Sequence, residues 1–184
     1  MKKKIYIKIA ILSLTATTLF SGCLKDPRYI DYSKVGVLIE LPLAEVNNYQ
    51  PGVSGVFQSP SYSLAAGATD TLTVAVNVAS PKPLTSALSV TLTTSDLTAL
   101  NAFNTANGTA FKPLPASDFS VIGSLTVTVP ANQRLAYAKI IINAAAIGLV
   151  NSGAYVLPIT IASASGQAIA QPEKALLYNI GVTP

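Results

Sequence analysis

From residue 35 onward, apolar and polar positions alternate with a period of two. Leu72, Val74, Val76 and Val78 alternate with Thr71, Thr73, Ala75 and Asn77, and Leu88, Val90 and Leu92 with Ser89, Thr91 and Thr93. Leu125, Val127 and Val129 alternate in the same way with Thr126 and Thr128. Successive side chains of a strand face opposite sides, so each run predicts a strand with one buried and one solvated face. Residues 135–143, 155–162 and 175–182 are apolar on both faces in places, which predicts strands that are central or covered on both sides. Residues 35–41 and 53–58 are further strand candidates. Pro158 lies inside one of these runs; without an N–H it cannot donate to a ladder, so a sheet edge or a bulge is expected there.

One segment breaks the alternation. Residues 95–106 open with Ser95-Asp96, repeat apolar side chains at Leu97, Leu100 and Phe103, and stop at Asn107-Gly108. A capping residue, an acid in the first turn, helical spacing and a glycine terminator predict a short helix inserted between two strands. Many short strands set off by Gly, Pro, Asn and Ser then predict an all-β, immunoglobulin-like antiparallel β-sandwich carrying that one helix.

The first residues follow a different logic. Lys2, Lys3 and Lys4 precede an apolar stretch of 12 residues, 9–20, and Ser21-Gly22 stand directly before Cys23, the single cysteine of the chain. This is the three-part layout of a secretory signal, and the apolar part is short of the ~20 residues a spanning helix needs. The layout resembles a bacterial lipobox, with Phe20 in place of the commoner aliphatic residue. The resemblance implies that Cys23 is lipidated and becomes the new N-terminus. Lys25-Asp26 partly resembles the Lys-acidic signal that sends Bacteroidetes lipoproteins to the outer face of the outer membrane. The expected organisation is a signal peptide at 1–22, a lipidated tether at 23–34 and a single domain at 35–184. The expected location is an exported, lipid-anchored, surface-facing position on the outer membrane.

Removal of the signal changes the charge picture. The full chain has 12 Lys+Arg and 8 Asp+Glu; losing Lys2, Lys3, Lys4 and Lys8 leaves 8 of each. The high pI thus belongs to the export signal, and no basic face remains to support nucleic-acid binding. With Cys23 used at the membrane, no cysteine remains to form a disulfide. The domain, of ordinary size, must rely on its hydrophobic core.

The runs LNAFNTANGTAFKPLPASDFSV, SLTVTVPANQRLAYAKIIIN and SGAYVLPITIASASG resemble a Bacteroidetes surface-lipoprotein domain of unknown function. That domain stands at the N-terminus of endo-β-N-acetylglucosaminidase-like and glycan-binding lipoproteins. The motif residues are Phe103, Asn104, Gly108, Thr109, Phe111, Leu114 and Pro115, then Val127 to Ala131, then Tyr155 to Pro158, and the likeness extends over residues 72–182. Each has a structural explanation as helix stop, stiffener or core aromatic. Family members often continue into a larger C-terminal module that carries the activity. Here the last strand reaches Val182 and the sequence ends at Pro184, so the family's activity is not expected to transfer.

The residue inventory points the same way. The chain has no His, which removes imidazole base chemistry, and its acids are scattered singly rather than paired as glycoside hydrolysis requires. The segment ASDFSVIGSLTVTVPANQ distantly resembles a calcium-binding β-repeat, but Asp118 is the one acid in it, against the several carboxylates calcium usually takes. No metal and no cofactor are expected. With no Trp, carbohydrate contact would fall to tyrosines; Tyr49 and Tyr62 sit among turn-forming residues, where a loop Tyr can present a flat face and a hydroxyl. Asp70-Thr71-Leu72 resembles the Asp-Thr-aliphatic acceptor of O-glycosylation in Bacteroidetes, which makes Thr71 a candidate acceptor. The leading expectation is a noncatalytic surface lipoprotein that binds glycan or assists outer-membrane uptake proteins of a polysaccharide-utilisation system. The alternative is a structural or adhesive module that contacts protein.

Overall fold

The structure, a computed structural model, describes residues 36–44 and 62–184. Two sheets carry the chain. The five-stranded sheet runs β10-β1-β3-β8-β6, built from β1 (Leu38–Glu40), β3 (Thr69–Ala79), β6 (Phe119–Ile122), β8 (Leu135–Asn143) and β10 (Ala168–Ile169). The six-stranded sheet runs β2-β11-β9-β4-β7, from β2 (Tyr62–Ala65), β4 (Leu88–Thr93), β7 (Thr126–Val129), β9 (Tyr155–Ser163) and β11 (Ala175–Thr183), with β5 (Lys112–Pro113) alongside β9. The β-sandwich expected from the alternation is present. Its central pairings are antiparallel, while β10 on β1, β2 on β11 and β5 on β9 are short parallel pairings.

The alternating residues fill the space between the sheets. Leu72, Val74, Val76 and Val78 of β3 and Ala136, Ala138, Ile140 and Ile142 of β8 meet Leu88, Val90, Leu92, Leu157, Ile159 and Leu176 of the other sheet in one buried cluster. The long β3/β8 pairing, from Thr69↔Asn143 to Asn77↔Leu135, places each inner residue opposite an inner residue. A slip of one would turn the whole set outward.

Strands β9 and β11 have a second core on their other side. Helix α1 (Thr98–Asn107) buries Leu100 and Phe103 against Val156 of β9 and Leu177 of β11, with Leu97, Ala99 and Phe111 packed around them. Each large apolar side chain removed from water here contributes roughly 1.5–3 kcal/mol. Double coverage is why these two strands read as apolar on both faces.

Helix α1 starts later than the sequence predicts. Ser95 bonds the Thr93 hydroxyl at 2.9 Å instead of capping, and Asp96 Oδ1 accepts from the Thr98 N–H at 3.0 Å. That Asx-type turn satisfies one of the orphan donors at the helix start. At the other end Gly108 has φ 63°, the left-handed conformation in which an added Cβ is unfavourable. A second, four-residue helix α2 (Ala144–Ile147), capped by Asn143, follows β8 directly and escaped the sequence reading.

Two further expectations are corrected. Pro158 is in an interior strand, not at a sheet edge. It faces Leu177 on one side, and on the other falls between the end of β5 at Val156 and the start of β4 pairing at Thr160. The Ile161 N–H donates to the Lys174 carbonyl of the strand on the β11 side, so by alternation the Pro158 nitrogen points into that gap, where no ladder donor is missed. Tyr62, expected in a loop, opens β2 and pairs with Ile180; partnership with β11 overrides the turn-forming neighbours. The candidate strand at 53–58 lies outside the described residues.

Candidate functional site

The first part of the motif that carries the family likeness, Phe103 to Phe111, builds the roof over β9 and β11. Asn104 is its hub. Its Nδ2 donates to the Phe111 carbonyl at 2.9 Å, and its Oδ1 accepts from the Thr109 hydroxyl at 2.8 Å and the Phe111 N–H at 3.1 Å. The Asn104 carbonyl also receives the Thr109 N–H at 3.0 Å. Together these bonds fold residues 108–111 back under the helix and set the Phe111 ring 6.1 Å from that of Phe103, tilted by 48°. Leu114 continues into the main core and its N–H bonds the Val156 carbonyl. These residues hold helix to sheet, and none of them presents a reactive group.

Among the described residues, the outer face of the five-stranded sheet has no roof of this kind. Tyr137 of β8 stands on it 54% exposed, with Leu135 42% and Ile122 47% exposed. Tyr137 pairs across to Ala75, whose methyl leaves the phenol ring uncovered. On the other flank β6 has ended, because its last pair is Ile122↔Lys139; the ring therefore borders a step at the corner of the sheet. Around it by register lie Thr73 and Asn77 of β3 and Leu135 and Lys139 of β8. Asn77 Nδ2 donates to Glu40 Oε1 at 2.7 Å. A tyrosine with an open ring, ringed by hydroxyl, amide and ammonium groups, suits a flat polar ligand with an apolar face.

Tyr137 was not singled out in the sequence. Its signal was nonetheless there: Lys139, two positions on, marks the outward phase of β8, and Tyr137 shares that phase. The predicted sites fare differently. Cys23 and Tyr49 lie outside the described residues. Thr71 is exposed on the same outer face as Tyr137, within β3, its N–H bonded to its neighbour's Asp70 Oδ1 at 2.7 Å. Tyr62 is on the opposite sheet from Tyr137, so the structure does not bring the two together.

Asp70, Asp96 and Asp118 accept hydrogen bonds from adjacent or near-adjacent residues. The Thr98 hydrogen bonds hold the Asp96 carboxyl below the usual range. Asp118 is buried and accepts from the Ser117 hydroxyl at 2.7 Å. Among the described residues no three His, Cys, Asp or Glu side chains stand close enough to hold a metal ion. Among the described residues two buried hydroxyls have no hydrogen-bond partner, Thr160 on the roofed face of β9 and Tyr178 in the main core, and burial pushes the Tyr178 phenol up.

Comparison with known proteins places this architecture. The fold resembles a protein of unknown function from Bacteroides ovatus, with a TM-score of 0.55 and 16% identity, over 84% of this chain and 47% of that one. It resembles a candidate carbohydrate-binding protein from Bacteroides ovatus ATCC 8483, with a TM-score of 0.54 and 16% identity, over 68% of this chain and 36% of that one. It also resembles EndoBT-3987 of Bacteroides thetaiotamicron, solved with a Man5GlcNAc product, with a TM-score of 0.51 and 22% identity, over 66% of this chain and 28% of that one. This chain spans less than half the length of each of the three. At these identities the likeness is one of fold. No curated protein matches the chain. A family model described as a "-like, N-terminal domain" matches residues 43–168, including every motif residue from Phe103 to Pro158. The chain belongs to that N-terminal-domain family, and it shares its β-sandwich fold with these three Bacteroides proteins.

Proposed function

We propose that this protein is a noncatalytic glycan-binding module, an accessory to polysaccharide capture at the cell envelope, and that its contact surface is the outer face of the five-stranded sheet around Tyr137. The observation that carries the reading is a tyrosine, Tyr137, left 54% exposed on a sheet face. Rings of this kind stack on the apolar face of a sugar while neighbouring polar groups take its hydroxyls. A structural neighbour described as a candidate carbohydrate-binding protein is consistent with it. A noncatalytic role is supported by a chain without His and by Asp70, Asp96 and Asp118 being taken up by local hydrogen bonds. The signal-like start supports export and anchoring through Cys23, with one sandwich domain at 35–184 beyond a short tether. Incorporation of labelled palmitate should disappear in Cys23→Ser; retention would remove the anchor from the proposal.

The test of function is a glycan array and affinity electrophoresis in polysaccharide gels, run on the purified full chain beside Tyr137→Ala. Saturable binding that falls at least tenfold in the variant supports the reading. Binding unchanged by Tyr137→Ala moves the site elsewhere, and no binding across host and plant glycans favours the protein-contacting alternative.

A further inference from the structure

Resting on the glycan reading above, we infer that the ligand is acidic: a glycan bearing carboxylates, with one sugar ring stacked on Tyr137 and its carboxylate held by Lys139. The argument starts from the charges of the face. By alternation, the outward residues of the described strands include Leu38, Glu40, Thr71, Thr73, Asn77, Ser120, Leu135 and Ile141 besides Tyr137 and Lys139. Only Glu40 and Lys139 among the described outward residues carry charge. The Glu40 carboxylate is engaged by the Asn77 amide at 2.7 Å and sits two strands away from β8, since β3 lies between β1 and β8. Lys139 is exposed, and among the described residues its ammonium has no ion-pair partner.

Position then fixes the pairing. Tyr137 and Lys139 are two residues apart on one strand, so their Cα atoms are separated by roughly 6–7 Å. That is the scale of one sugar ring, and a lysine stem can span the remaining distance to a carboxyl carried on it. Ile122, opposite Lys139, and the step where β6 ends bound this corner. Thr71, Thr73 and Ser120 provide exposed hydroxyls on the same side. The negative group of the ligand therefore points toward the β8/β6 corner, away from Glu40. A lone ammonium next to an open ring selects charge as well as shape, and its attraction is screened by salt.

The probes are polygalacturonate, the same polymer after reduction of its carboxyls, and a sialylated oligosaccharide, which separates uronate from sialate as the source of the acid. Binding is measured on the full chain, Tyr137→Ala, Lys139→Gln and Lys139→Arg, at low and high salt. The inference predicts that at least one acidic probe binds at least tenfold better than the reduced polymer. Lys139→Gln and high salt should erase that preference, Lys139→Arg should keep most of it, and Tyr137→Ala should weaken acidic and neutral binding alike. Equal binding of acidic and reduced polymer, or a preference untouched by Lys139→Gln, overturns the acidic ligand while leaving the glycan reading in place. Failure to bind any glycan, neutral or acidic, overturns both. Circular dichroism of Lys139→Gln guards the result, because an exposed lysine is not expected to affect folding.

Discussion

Outside β9 and β11 the sandwich hides Val156 and Leu177 beneath a helix, whereas outside β3 and β8 it leaves Tyr137, Leu135 and Ile122 open to water. Both faces are the back of the same core, yet among the described residues one is finished by a crossover connection and the other is not. The roofed face carries Phe103, Asn104, Thr109 and Phe111 of the family motif, each bonded or packed to another part of the chain. The bare face carries exposed apolar and aromatic side chains that nothing in the fold requires. Where a fold explains a residue fully, that residue is poor evidence for a ligand; the surplus on the open face is where a binding role has room.

The contrast can be broken most forcefully at the roof. Phe103→Ala should destabilise the domain by about 3–5 kcal/mol, the usual range for removing a buried aromatic, because Phe103 is 6% exposed and packs on Phe111, Val156 and Leu177. Urea unfolding followed by far-ultraviolet circular dichroism measures it. A loss below about 1 kcal/mol would mean that the helix merely rests on the sheet. Asn104→Ala comes next, at about 1–3 kcal/mol, because it strands the Phe111 N–H and carbonyl that the amide now satisfies. Limited proteolysis should then cut within residues 105–112 sooner than in the parent, and cleavage at an unchanged rate would argue against Asn104 as the hub of that segment.

The two faces were unequally legible in the sequence. Alternation located β3, β4, β7, β8, β9 and β11 because each keeps one side against a large core; the doubly apolar runs at 155–162 and 175–182 announced double coverage, whereas 135–143 became β8, interior to its sheet but open on its outer face. It missed β2, β5, β6, β10 and α2, at 2–4 residues each, since a window that short holds no period to detect. The helix was found but placed early, because Ser95-Asp96 has the composition of a cap while the backbone uses Asp96 in a turn and starts the helix at Thr98. On the bare face, attention to loop tyrosines overlooked Tyr137, since a strand aromatic reads as core until its register is compared with the lysine beside it. Pairing partners, such as Ala75 opposite that ring, are properties of the assembled sheet.

A smaller effect of opposite sign sharpens the picture beneath the roof. Thr160 is 3% exposed on the covered face of β9 and its hydroxyl has no partner. Thr160→Val removes a dehydrated polar group at nearly constant shape and should raise stability by about 1 kcal/mol. Tyr178→Phe tests the same cost in the main core. A clear loss on Thr160→Val would show that the hydroxyl is satisfied and that the covered face tolerates a polar network.

The smallest stability effect is expected at the residue proposed to matter most for function. Tyr137 touches no roof, its cross-strand partner is Ala75, and over half of its surface is in water, so Tyr137→Ala should change unfolding free energy by no more than about 0.5 kcal/mol. The same substitution should abolish most glycan affinity. Measured together, the two numbers separate a binding residue from a buttress. A destabilisation of 2 kcal/mol or more, about the range of a core truncation, would place the ring inside a packed surface and make any loss of binding a consequence of unfolding. A silent Tyr137 in both measurements would leave the open face as unused sheet and turn the search toward the edges of the sandwich.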